Sequence, residues 1–154
     1  MKILYLHQYF NSPDMPGSTR SYEFAKALSK KGNTVYVVTS DWQNLRKKKQ
    51  YNVDGINVYS APIFYSNKMN FFSKVFSFFC YACYAIKISR NLNYDIVFAS
   101  STPLTIGIPA LYLKKKNKAK LVFEVRDMWP QLPIAFGVLK SRILIYFAKS
   151  LERK

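Results

Sequence analysis

Acidic residues are scarce in this chain of 154 residues: 8 Asp and Glu stand against 24 Lys and Arg, a formal net charge of +16. An imbalance of that size works against compaction by self-repulsion and favours polyanionic partners: an anionic membrane surface, nucleic acid or phosphorylated substrates. Cysteine is nearly absent. Cys80 and Cys83 form one CxxC inside FFCYACYAI, with no second pair and no nearby histidine, which excludes a secreted disulfide framework and a four-ligand zinc site and leaves both as apolar filler. Glycine and proline are too few for a disordered or fibrous chain, and 49% hydrophobic content supports one folded domain with its own core. No signal peptide is visible, because Lys2 leads straight into a short apolar run and a polar loop; a reducing cytoplasm is the expected compartment.

What is there is an alternation of short apolar runs and amphipathic stretches. Lys2–His7 reads as a buried strand, followed by a loop containing Pro13, Pro16 and Gly17. A helix starts near Ser18 or Thr19, carries Phe24, Ala25 and Leu28 on one face, and stops at Gly32. Thr34–Thr39 is a second strand, so the opening is a βαβ unit with a right-handed crossover. Asp41–Asp54, polar and basic, reads as a surface loop. Ile56–Ala61 is a third strand near a sheet edge, Tyr94–Ala99 a fourth and Lys120–Val125 a fifth. Helices are expected at Phe71–Leu92, at Leu104–Lys116 with an irregular first turn around Gly107 and Pro109, and at Val138–Lys154.

These elements predict an α/β fold: a doubly wound, mostly parallel, Rossmann-like sheet in a single three-layer domain. The order 3-2-1-4-5 puts the first and fourth strands side by side at the switch point, where open α/β sheets bind ligands beyond the carboxyl ends of their strands. The loops meeting there are His7–Arg20, Ser100–Leu104 and Arg126–Pro133.

The first loop, DMPGSTR, fits an anion- or sugar-binding turn or an ordinary loop with a helix cap. Its glycine admits close backbone approach, but it has neither the GxGxxG spacing nor a P-loop. Arg20 either pairs with Glu23 or turns its fork to a phosphate. At the end of the fifth strand, Glu124, Arg126 and Asp127 follow an apolar run. They form structural pairs, Arg126–Asp127 or Glu124–Arg20, or they hold sugar hydroxyls and handle a proton. Trp129 packs in the core or presents a ring to a sugar. His7, the single histidine, sits at the mouth of the same site, and Ser101 opens its second loop.

Phe71–Ile88 is dense in aromatics, and its longest charge-free run, Val75–Ile86, is shorter than the ~20 residues that span a bilayer. It reads as a buried helix, or as one that packs one face on the sheet and offers Phe71, Phe72, Phe76, Phe79 and Tyr84 to lipid. Lys47–Lys49, Lys68, Lys74 and Lys87 favour the second reading through attraction to an anionic surface. The run from Lys114 to Lys120 suits a solvated helix end whose cations complement the dipole.

Three stretches, KILYLHQYF, PGSTRSYEFAKALSKKGNTVYVVTS and VFEVRDMWPQLPIAFGVLKSRILIYFAKSLER, resemble the N-terminal half of family 4 glycosyltransferases of the GT-B fold. The nearest resemblance is to the branch that builds bacterial surface polysaccharides such as O-antigen or capsule and includes fucosamine transferases. The resemblance implies an acceptor-side Rossmann-like domain facing a donor-binding one. It also implies sugar transfer with retention, a nucleotide-sugar co-substrate, no metal or other cofactor, and polyprenyl-linked glycan acceptors. Gly17 matches the family's glycine-rich loop, with Ser18 in place of its second glycine. Where many members carry a sugar-contacting histidine after the fifth strand, Arg126 and Asp127 stand here and inherit a catalytic or contact role. His7, Gly17, Ser18, Arg20, Ser101 and Trp129 become the substrate-binding set. The acidic motif and basic pair that grip the donor diphosphate have no counterpart in 1–154. The expectation is an acceptor-side domain, inactive alone, served by a separate donor-binding chain or a missing second half, peripheral on the inner face of the cell membrane. A nucleic-acid-binding module and a free-standing nucleotide or flavin domain are the alternatives. The absence of RNP, KH, zinc-finger and phosphate-loop patterns counts against both.

Overall fold

The computed structural model describes residues 1–41, 49–66, 68–101, 103–126, 131, 134 and 141–152. Six strands form one sheet: β1 (Lys2–Leu6), β2 (Thr34–Ser40), β3 (Lys49–Val53), β4 (Ile56–Ala61), β5 (Ile96–Ser100) and β6 (Lys120–Glu124). Their order is β3-β4-β2-β1-β5-β6, parallel throughout except for the β3–β4 pair. Helices among the described residues include α1 (Arg20–Lys30), α2 (Phe71–Ser89), α3 (Gly107–Asn117) and α4 (Arg142–Glu152). A 3-10 turn at Leu104–Ile106 precedes α3, and Pro109 is tolerated as its third residue, where the missing N–H has no intrahelical partner to lose.

Crossover handedness decides the layers. The α1 connection steps from β1 to β2, whereas α2 and α3 step the opposite way, from β4 to β5 and from β5 to β6. Right-handed crossovers running in opposite directions must cover opposite faces. Accordingly Tyr5, Val35, Val37, Ile56 and Val58 pack with Tyr22 and Ala25 of α1. Leu4, Leu6, Val38, Val97 and Ala99 pack on the other face with Tyr81 and Ala85 of α2 and Ala110 and Leu113 of α3. The central strands β1, β2 and β5 are largely buried on both faces and therefore read as continuous apolar runs. Tyr81, at 1% exposure, keeps its hydroxyl satisfied by donating to the Val38 carbonyl at 2.7 Å.

Two expectations need correction. The stretch 49–54 is not loop: β3 pairs with β4 in antiparallel register from Lys49↔Ser60 to Val53↔Ile56, joined by Asp54 (φ 48°) and Gly55 (φ 79°). An Asp-Gly pair between two alternating runs is the turn chemistry of a tight hairpin, and Tyr51 and Val53 pack on the α1 side of the core. The β3 strand, not β4, is therefore the edge. The second correction is Tyr84, which is only 8% exposed and packs in the α2–α3 core, so it is not offered to lipid.

The rest of α2 is another matter. Asn70 caps it, accepting from Ser73 N at 2.8 Å, and the helix presents Phe72 (81% exposed), Phe76 and Phe79 outward. Among the described residues it is the one helix of 19 residues long and apolar enough to cross a membrane by length and composition. Its inner face, however, is committed to the sheet. Cys80 is half-buried and Cys83 exposed, both free thiols.

Candidate functional site

The carboxyl ends of β1, β5 and β6 meet at one rim, and four side-chain hydrogen bonds tie it together. Arg126 Nη1, just past β6, lies 3.1 Å from His7 Nε2, just past β1. The Arg126 main-chain N–H donates to Ser101 Oγ at 2.8 Å, after β5. Arg20, the first residue of α1, donates through Nη2 to Glu124 Oε1, and Ser100 Oγ donates to Glu124 Oε2 at 2.6 Å. Three loops distant in sequence thus share the switch point between β1 and β5. Arg20 pairs with Glu124 across the sheet, not with Glu23 on its own helix. Its side chain is 61% exposed, so this bond positions more than it stabilises.

His7 is buried at 2% exposure, its ring 6.0 Å from that of Tyr5. A guanidinium carries only donors, so Nε2 of His7 must be the acceptor and the imidazole proton sits on Nδ1. Burial is the main reason that the His7 pKa falls from 6.5 to about 3; the charges of Arg126 and then Arg20 add to it. His7 is therefore neutral at physiological pH, and a histidine whose free lone pair is already taken is a poor proton acceptor. Its geometry suits holding Arg126.

Gly17 has φ 123°, a conformation that side chains avoid, and a Cβ there would come within 2.5 Å of Asn11 Nδ2. Gly17 and Ser18 are both exposed, and Ser18 Oγ lies 3.5 Å from the Arg20 N–H at the start of α1. The N-cap, Thr19, makes no side-chain cap bond. Asp127 and Trp129, expected at the same rim, lie outside the described residues, as do Arg46, Lys47 and Lys48.

Gln8 was not singled out by the sequence, yet it is fully buried, and among the described residues neither its Oε1 nor its Nε2 has a hydrogen-bond partner; the same holds for His7 Nδ1. Gln8 is held by its main chain, whose carbonyl accepts from Ser40 N (3.1 Å), Thr39 Oγ1 (3.0 Å) and Ser40 Oγ (2.8 Å). Tyr9, beside it, turns its ring toward Tyr65 with centroids 5.0 Å apart. No sequence signal marks an orphaned amide; only its position at the end of β1 does. Among the described residues no three His, Cys, Asp or Glu side chains group as a metal site.

The family description Glycosyltransferase Family 4 matches residues 17–154, most of the chain, including Gly17, Arg20, Ser101, Glu124 and Arg126 of the rim. The chain belongs to Glycosyltransferase Family 4. Glycosyl transfer is therefore its general role, carried on the α/β sheet just described. No curated protein matches it. Among solved structures it is similar to the C-terminal domain of a hydrogenase from Pyrococcus furiosus, with TM-score 0.57 and 15% identity, covering 80% of this chain and 90% of that one. It also resembles an E. coli trehalose-6-phosphate protein bound with UDP-2-fluoro glucose, at TM-score 0.49 and 14% identity, covering 80% of this chain and 32% of that one. The first likeness bears on the fold alone, and the second carries no weight.

Proposed function

We propose that this family 4 chain forms the acceptor-side half of a retaining glycosyltransferase. It works with a donor-binding Rossmann-like unit, on the same chain or another, to move a sugar from a nucleotide-sugar to a lipid-linked glycan in bacterial surface-polysaccharide synthesis. The observation that carries this reading is the joined rim of a family 4 sheet, where His7, Arg20, Ser101, Glu124 and Arg126 are cross-linked beside the Gly17–Ser18 turn. Asp127 is assigned the proton, and Trp129 a stacking contact with a sugar ring. No metal is invoked. Groups placed on both sides of a cleft and pre-set around the reacting bond lower the barrier by orientation and electrostatics, so each half alone is expected to turn over slowly or not at all.

The same reading places the chain on the inner face of the cell membrane. Phe72, Phe76 and Phe79 project from α2, and Lys68, on the segment leading into it, is exposed. Aromatics for the acyl boundary and cations for anionic headgroups are what an interfacial helix needs.

Two measurements test this. With a donor-binding domain supplied, transfer from a nucleotide-sugar to a polyprenyl-linked acceptor should give a product of retained anomeric configuration by NMR. Inversion, or full activity of residues 1–154 alone, would count against the assignment. Co-sedimentation with phosphatidylglycerol vesicles should weaken with added salt and fall sharply in Phe72→Ser/Phe76→Ser. Both side chains are exposed, so the fold should survive; undiminished binding by that variant would remove the membrane from the account.

A further inference from the structure

Among the described residues, the charges at the rim do not cancel. Among the described residues, two guanidiniums, Arg20 and Arg126, stand with one carboxylate, Glu124, and that carboxylate is fully engaged: one oxygen takes Arg20 and the other takes Ser100. Arg126 is held differently. Its side chain rests on a neutral, buried imidazole and its main chain on the Ser101 hydroxyl. A guanidinium fork ordinarily meets a carboxylate, which satisfies its donors and cancels its charge. An imidazole acceptor does the first for one N–H and leaves the charge and the other donors available. The ring, fixed by packing against Tyr5, is therefore a pedestal that aims a charged group without neutralising it.

We propose that Arg126, seated on His7, is an anion-binding residue of the rim for a phosphate or diphosphate group, with His7 as its positioning residue. The Gly17 turn and the Arg20 fork border the same site. This deepens the glycosyltransferase reading, on which the natural source of the phosphate rests; the source is either the nucleotide-sugar or a diphosphate-linked acceptor. The titratable and charged groups facing His7 are Tyr5 on β1, Arg20 on α1, Tyr81 on α2 and Arg126 after β6. None offers a negative charge that would hold His7 protonated, so the pedestal stays neutral and the anion is met by the arginines of the rim, Arg126 first.

The test is calorimetric titration of the full chain with inorganic pyrophosphate. Arg126→Gln should weaken binding about tenfold or more, the share expected of one charge-assisted contact. His7→Phe, which fills the same space without an acceptor, should lose a comparable share, and His7→Gln, which restores an acceptor, should recover much of it. Sulfate, whose charge is constant across the range, should bind equally well from about pH 5 to 8, because a neutral His7 does not titrate there. UDP and farnesyl diphosphate, run as competitors, identify the source by which of them gains over pyrophosphate. The proposal is overturned if Arg126→Gln binds pyrophosphate like the parent chain. It is equally overturned if sulfate affinity rises as pH falls through the ordinary histidine range, since His7 would then be the ligand. Where His7→Phe fails to fold, Arg126→Gln and the sulfate series still decide. Should pyrophosphate ignore Arg126 while sugar transfer proceeds, this assignment falls and the family function stands. Pyrophosphate binding that depends on Arg126, with no sugar transfer under any pairing, leaves the reverse.

Discussion

Replacing Gln8 by leucine should leave the chain as stable as before or make it more stable, although Gln8 is fully buried. Most large buried side chains behave in the opposite way. The reason lies in the two amide atoms, neither of which has a hydrogen-bond partner among the described residues. A buried donor or acceptor left unmade costs about 1–3 kcal/mol, and an apolar group of the same shape removes that cost. Leucine is close to glutamine in volume, and what anchors this position is the main-chain carbonyl, which keeps its three bonds to Thr39 and Ser40. After repacking losses of up to about 1.5 kcal/mol the net change runs from about zero to about 3 kcal/mol of added stability, a rise in Tm of at most roughly 12 °C at the usual 2–4 °C per kcal/mol for chains near this size. Thermal unfolding followed by far-UV circular dichroism measures it directly. Gln8→Glu serves as the counterpart: the same length with a buried carboxylate should lower Tm steeply. If Gln8→Leu loses more than a few degrees, the amide is a paired structural group and the reasoning fails.

The remaining predictions concern the same rim. His7 has a native pKa far below its unfolded value, so between about pH 6.5 and 3 the unfolded chain binds more protons than the folded one. Stability should therefore fall as pH falls, by up to about 1.4 kcal/mol per pH unit. His7→Gln should flatten urea-derived stabilities across that window, and an unchanged slope would show that carboxylates dominate. Gly17→Ala should cost about 1–3 kcal/mol, because φ 123° is strained for any side chain and Asn11 must also move aside. Urea unfolding reads the loss, and an unaltered midpoint would mean that the turn relaxes to negative φ.

Much of this protein was decided by local pattern. The apolar runs Ile3–Leu6, Val35–Val38 and Ile96–Ala99 are too short and too continuous for anything but strands buried on both faces. Stretches of helical spacing between them force crossovers, and crossover handedness then sets which face each helix covers. The order of five strands, and the loops that meet at the switch point, follow from that chain of reasoning. The β3 strand was legible too, in the Asp54–Gly55 pair, but a basic, polar stretch masks alternation when only every second residue is apolar.

Partners at the rim belong to the tertiary structure. The sequence places Arg20 near Glu23, Glu124 and any passing phosphate with equal ease; only the sheet brings Glu124 across to it, 104 residues away in the chain. Likewise nothing in a lone histidine says whether it will take a proton. Burial and two neighbouring guanidiniums settle that His7 will not, because desolvation and like charge act through space and leave no trace in residue order.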